Sequence, residues 1–317
     1  MKIKAGRRTM RFEPDEVSWM TQSSLHSHFG FWESNGQRLF VKRSAVRPPG
    51  WGLLERSVKR PIPNAPAVFD LKREEGYFYL FMEKLEGDVF LHILQNNQAP
   101  LYFSKPALDT EDRLKIFLTV YGTIKRLNAQ GYWYPDLDFK NLFIAKPKIG
   151  TEYGVFLIDL DSCARHGEPF KPDHVSQTYW EGMVKTCHRL GGKFVDRRDP
   201  AHPCVIPNGR HLNQSMLILF AYSLQRLGFV PKETSLYDPL VHPRNPHSRW
   251  ILQTHEKLAQ GNDCWEDIEA FLPAFFKIPR NRFQTYFEKY AGQEKKPGIS
   301  SLLAAGFHKV KSKLFKT

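Results

Sequence analysis

Residues 134–144 read YPDLDFKNLFI and residues 156–162 read FLIDLDS, so Asp136, Asn141 and Asp159 each abut an apolar run. The runs NLFIA and YGVFLID have the character of buried strands, and the Pro/Gly-containing loop KPKIGTE between them predicts a hairpin. A carboxylate or amide placed against a buried strand costs free energy unless it is paired, hydrogen-bonded or bound to a metal. Three such groups at one hairpin therefore call for a shared partner, and this requirement constrains the fold more than any other feature.

The rest of the chain supplies the frame. HFGFWES and QRLFVKR flank Asn35-Gly36, a dipeptide suited to a type I′ turn because both central residues need positive φ. APAVFDL and GYFYLFME flank the charged KREE and predict a second hairpin, with GWGLLERSVKR between the two as a short helix or irregular turn. From about residue 84 the period becomes helical. Leu114, Phe117, Leu118, Tyr121, Ile124 and Leu127 recur at three- and four-residue spacing, with Asp109 or Thr110 as N-cap and Gly131 as the stop. Two further helices are predicted at LNQSMLILFAYSLQRLG and WEDIEAFLPAFF, where Pro273 should bend or end the second. No internal repeat occurs at a fixed period.

A sheet-forming segment, a helical segment and the spacing Asp136-x4-Asn141 followed by Asp159 fit one organisation: the α+β, two-lobed protein-kinase-like phosphotransferase. On this reading residues 1–83 form an antiparallel β-rich lobe for ATP, 84–292 a mainly helical lobe with the catalytic loop, and 293–317 a basic amphipathic tail. Asp136 orients an acceptor hydroxyl. Asn141 and Asp159 supply hard oxygen ligands to Mg2+ on ATP. Lys42, in the strand LFVKR, is placed to contact nucleotide phosphates, and Glu55, in GLLER, to pair with it. Glu83 to Leu85 occupy the expected hinge, where backbone groups would meet adenine. Taken singly, a strand lysine or a helix glutamate is usually only solvated, and Asp136 and Asn141 could simply close an Asx turn. Their joint order favours the functional reading.

At these residues the chain resembles the lipopolysaccharide kinase family of Gram-negative bacteria, which phosphorylates Kdo or heptose in the inner core. The family loop has the form Asp-Leu-x-x-Lys-Asn and its metal site Ile-Asp-x-Asp, matched here by Asp136 to Asn141 and Ile158 to Asp161. The likeness covers about Phe29 to Arg165. It implies Asp136 as the catalytic residue, Lys42 and Lys140 on the ATP side, and Asn141 and Asp159 as metal ligands. Three departures stand out. Tyr134 and Pro135 replace the usual His and Arg, no G-x-G-x-x-G occurs between Pro14 and His28, and Asp-Leu-Asp replaces Asp-Phe-Gly.

The formal charge of +13 and pI near 9.5 favour an anionic partner without choosing one. Together with the resemblance, this predicts a sugar or glycolipid acceptor; a protein or small-molecule kinase and an inactive pseudokinase scaffold are the alternatives. No nucleic-acid motif is present, so no nucleic-acid partner is expected. Cys163, Cys187, Cys204 and Cys264 are spaced like reduced thiols, and Cys187, His188, His202, Cys204 and His211 lack a zinc-ligand spacing. With neither a signal-peptide core nor a membrane span, the chain is expected in the cytoplasm. Ile299, Leu303, Phe307, Val310 and Leu314 recur at helical spacing among lysines, which predicts peripheral contact with an anionic membrane.

Overall fold

The computed structural model describes residues 1–5, 8–20, 27–34, 36–103, 108–147, 151–167, 209–226 and 247–292. It is an α+β fold in which strands dominate the first third and helices the remainder. The chain opens with a hairpin of β1 (Lys2–Ala5) and β2 (Arg8–Arg11). A five-stranded antiparallel sheet follows, built from β3 (Ser18–Trp19), β4 (Ser27–Ser34), β5 (Gln37–Ser44), β6 (Val68–Glu74) and β7 (Tyr77–Glu83) in the order β3-β4-β5-β7-β6. The two expected hairpins are its centre. Gly36 has φ +70° at the β4–β5 turn, a value that costs little without a Cβ; Asn35 lies outside the described residues.

Alternation along β4, β5 and β7 divides the side chains between two faces. Trp32, Leu39, Val41, Tyr79 and Phe81 pack with Ile3, Met10 and Phe12 of the N-terminal hairpin in one hydrophobic cluster. Lys42, paired in register with Phe29 and Leu80, takes the opposite face. Below that face lies α1 (Trp51–Ser57), the short helix expected from GWGLLERSVKR; its Leu53 and Leu54 join the larger core with Val68 and Leu80.

Strand β8 (Gly87–Val89) leads into α2 (Phe90–Gln95) and then α3 (Thr110–Ala129). Asp109 caps α3: its carboxylate accepts from Asp112 N–H at 2.8 Å while Asp112 accepts from Asp109 N–H at 3.4 Å. This reciprocal box stabilises the helix start by about 1 kcal/mol. Leu114, Phe117, Leu118, Tyr121, Ile124 and Leu127 are all fully buried, so the periodic stripe is the centre of the core. Strand β9 (Tyr132–Trp133) pairs with β12 (Ala164–Arg165), and β10 (Leu142–Ala145) with β11 (Gly154–Leu157). Helices α4 (Gly209–Arg226), α5 (Ser248–Ala259), α6 (Trp265–Phe275) and α7 (Arg280–Tyr290) complete the described residues.

Pro273 neither ends nor interrupts α6, which continues to Phe275. The proline sits in the last turn, near the point where the helix stops in any case. The sequence reading missed β1, β2, β3, β8, β9, β12, α2, α5 and α7, whose apolar patterns are short or weakly periodic. Cys187, His188, His202, Cys204 and the tail from 293 lie outside the described residues, and so does most of the segment TQSSLHS. Among the described residues no helix is long and apolar enough to cross a membrane.

Candidate active site

Two strand pairings assemble the site. Trp133 is registered with Ala164, which sets the loop leaving β9 beside the turn that enters β12. Leu142 is registered with Leu157, and Ile158 N–H donates to Asn141 O at 3.0 Å, so Asn141 and Asp159 emerge side by side from one end of the β10–β11 hairpin. Local sequence does the rest. Asp138 caps a single 3-10 turn over Phe139–Asn141, with Asn141 N–H closing on Asp138 O at 3.0 Å. The turn aims the Asn141 amide back along the loop, where Nδ2 donates to Asp136 O at 2.8 Å and to Asp136 Oδ2 at 2.9 Å. Lys140 Nζ lies 3.1 Å from the same Oδ2. Among the described residues Asp136 Oδ1 is buried with no hydrogen-bond partner.

Opposite the loop, Asp159 adopts φ +61°, ψ +37°. A non-glycine residue held in this left-handed region costs about 1–3 kcal/mol. Ser162 stabilises the turn, its backbone N–H and Oγ donating to Asp159 O at 3.1 and 2.8 Å. The conformation puts two acids on one lysine: Lys42 Nζ is 2.6 Å from Asp159 Oδ1 and 2.6 Å from Asp161 Oδ2. Helix α1 is seated on the same turn. Gly50 N–H donates to Asp161 O at 2.9 Å, and a Cβ at residue 50 would come within 2.4 Å of Leu160 O, so only glycine allows this approach.

The charges are distributed unevenly. Burial works against the Lys42 ammonium, but the Asp161 and Asp159 carboxylates more than offset it, and its pKa is raised. Burial likewise opposes ionisation of Asp159, yet Lys42 prevails and holds it below the usual carboxylate range. Asp161, buried and beside the Asp159 charge, is pushed up to about 6. Burial also raises Asp136 against the pull of Lys140 and Asn141, which leaves a carboxylate with a greater hunger for a proton. Cys163 is buried, and burial beside Asp161 raises its thiol, so it is an inert filler of the turn.

The loop is clamped from behind by residues without a recognised motif. Asn213, fully buried on α4, accepts from Tyr134 N–H at 2.8 Å and from Asn128 Nδ2 at 3.0 Å, and donates to Tyr134 O at 2.5 Å. Tyr134 Oη then donates to Ile158 O at 2.8 Å, tying the loop to the strand end before Asp159. The signal in the sequence was the polar triplet Asn213-Gln214-Ser215 directly before the apolar run MLILFAY of α4.

Lys42, Asp136, Lys140, Asn141 and Asp159 thus gather at one place. Glu55 does not. It is exposed on α1 and makes no ion pair among the described residues, because the buried stripe of that short helix is Leu53, Leu54 and Ser57. The expected Lys42–Glu55 pair is replaced by Lys42 with Asp159 and Asp161, and Asp161 is the site residue to which no role had been given. Glu83 is also exposed, and its N–H donates to Ala67 O at 2.8 Å to continue the β6–β7 edge, so that amide is unavailable to a base. Leu85 lies half-buried just past the end of β7, outside the strand pairings.

Oxygen ligands suit a hard cation, and the groups present fit Mg2+. Nδ2 of Asn141 is committed to Asp136, which leaves its amide oxygen as the group that could serve as a ligand, on the residue whose carbonyl pairs with the strand end before Asp159. Among the described residues no three His, Cys, Asp or Glu side chains cluster as a self-sufficient metal site, so a cation here would take ligands from its substrate too. A scan against protein-family models finds no family that matches the chain, and a search of curated proteins finds no relative.

Proposed function

We propose that the protein is a two-lobed, protein-kinase-like phosphotransferase that moves a phosphoryl group from ATP to a sugar hydroxyl, on lipopolysaccharide inner core or a related lipid-linked glycan. The observation that carries this reading is the meeting, from three separate parts of the chain, of Lys42 on β5, Asp136 and Asn141 in one loop, and Asp159 after β11. Asp136, with one buried oxygen unpartnered among the described residues and its pKa raised, is suited to accept a hydroxyl proton. Lys140 and Asn141 hold its other oxygen and fix its orientation. Lys42 would contact ATP phosphates, and Leu85 would offer backbone groups to adenine. Asn141 and Asp159, with Asp161 beside them, would hold Mg2+, which when bound offsets charge on the transferring phosphoryl group. The family resemblance and the excess positive charge favour an anionic glycan acceptor. The basic tail would hold the enzyme at an anionic membrane surface, which deletion from Gly298 onward tests by vesicle co-sedimentation.

The decisive experiment measures ATP consumption by purified protein against lipopolysaccharide precursors, simple sugars and generic protein substrates, with Asp136→Asn as control. Acceptor-dependent turnover that the variant loses supports the reading; no turnover with any acceptor overturns it. A second reading, a pseudokinase scaffold, is favoured by one observation: both acids of the turn are already engaged by Lys42. It requires nucleotide or partner binding without transfer.

A further inference from the structure

A well-formed groove among the described residues lies apart from the site above. It has a volume of about 730 Å³ and lies between the segment after α2, the start of α3, the far end of the β10–β11 hairpin and α7. Asn141 lies at the opposite end of that hairpin, about 13 Å away for four residues of extended strand. None of Lys42, Asp136, Asn141, Asp159 or Asp161 lines it.

Its chemistry is distinctive. Tyr102, Tyr153, Tyr286 and Tyr290 all line the groove, and the last two, one turn apart on α7, set their ring planes 29° from parallel. Three cations and three acids accompany them, and each has a hydrogen-bond or ion-pair partner inside the groove or beside it. Glu152 Oε2 accepts from Lys115 at 2.9 Å and from Tyr290 Oη at 2.8 Å, and its Oε1 accepts from Lys289 at 2.6 Å. Glu111 pairs with Arg282 and Tyr286, and Asp112 accepts from Tyr153 Oη at 2.9 Å. Lys115 is the buried keystone, also donating to Tyr153 O at 2.8 Å and standing 3.6 Å over the Tyr153 ring.

The three cations and three acids of the described lining cancel in formal charge, so no net charge there favours a nucleotide, a phosphate or a metal cation. The groove still offers charge-assisted donors and acceptors in fixed positions, next to flat aromatic faces. That combination suits a molecule with apolar C–H faces and many neutral hydroxyls. A volume near 730 Å³ is within the range of pockets that enclose molecules of a few rings. We propose that this groove binds an uncharged oligosaccharide segment, through stacking on Tyr286 and Tyr290 and hydroxyl contacts to the Glu152 and Glu111 ion pairs. The groove would then hold sugars other than the one presented to Asp136. Its occupancy does not depend on phosphoryl transfer.

The test uses the full-length protein without ATP on an array of neutral hexose and N-acetylhexosamine oligosaccharides of two to five units, followed by isothermal titration of the best binder. Expected is saturable binding that Tyr286→Ala and Tyr290→Ala each weaken at least tenfold, and that Asp136→Asn leaves unchanged. Thr285→Trp provides the second variant: Thr285 is exposed on α7 and lines the groove, so a large ring there fills the groove without touching the core. It too should weaken binding at least tenfold. The inference falls if no neutral oligosaccharide binds, if Thr285→Trp leaves binding intact, or if phosphorylated forms of the same sugars bind more than tenfold better. Loss of binding in Asp136→Asn would also refute it by placing the sugar in the catalytic cleft. A chain that binds these sugars yet never consumes ATP would overturn the phosphotransferase reading alone.

Discussion

Asn213→Leu tests whether the loop that carries Asp136 and Asn141 is held from behind. Leucine keeps the branched shape and heavy-atom count of asparagine, so no cavity opens; its larger methyl groups add some overpacking to the hydrogen-bond loss. The change removes the acceptor for Tyr134 N–H and the donor to Tyr134 O in a place with no exposure, and it takes one of two partners from Asn128 Nδ2. Two backbone groups orphaned in the core cost about 1–3 kcal/mol each, so the expected loss is about 2–6 kcal/mol. For a domain of ordinary stability this leaves a folded but weakened protein. Urea denaturation at pH 7 measures the loss, and hydrogen exchange at the Tyr134 amide reports whether the clamp itself has opened. Exchange at Tyr134 should accelerate more than at Leu118 or Tyr121 in the centre of α3, which lie away from the clamp. A loss below about 1 kcal/mol, or an unchanged Tyr134 amide, would refute the reasoning.

Nucleotide binding and turnover should separate: Asp159→Ala should abolish Mg2+-dependent ATP binding, while Asp136→Ala retains it and loses transfer by about 10²–10⁴-fold, as calorimetry and a coupled kinase assay would show. Gly50→Ala drives a Cβ to within 2.4 Å of Leu160 O; it should cost about 1–3 kcal/mol, against no measurable cost at exposed Val58, whose substitution to Ala serves as the control. His255 is buried, and Nδ1–H donates to Ile251 O at 2.8 Å while Nε2 has no partner. Burial, only partly countered by that hydrogen bond, lowers its pKa to about 4. The unfolded chain therefore takes up this proton first, and stability present above pH ~6.5 is lost as pH falls towards the folded value, by up to about 3 kcal/mol. Denaturation midpoints of His255→Gln should be flatter over that window, and an equally steep fall in the variant would exclude His255 as the cause.

Much of the site could be read from the chain because its spacing is local. Asp138, Lys140 and Asn141 are set by one capped turn, and Asn141 reaches Asp136 across five positions, so neighbouring residues almost dictate the geometry. The hairpins that carry Lys42 and Asp159 were legible for the same reason, since strand alternation and a turn dipeptide are short-range signals. The buried stripe of α3 and its Asp109 cap belong with them. Periodicity does not say which distant group a buried charge will meet. Glu55 was the natural partner for Lys42 by order along the chain, yet the pair that forms joins residues 117 positions apart. It forms because α1 turns Leu53 and Leu54 inward and leaves Glu55 in water, while Asp159 accepts a strained backbone that carries its carboxylate to the amine. Asn213 and the tyrosine groove were beyond reach for a related reason. A buried amide or a tyrosine beside an ion pair has meaning only after helices separated by tens of residues have packed, and desolvation, which gives those contacts their strength, is a property of the packed molecule.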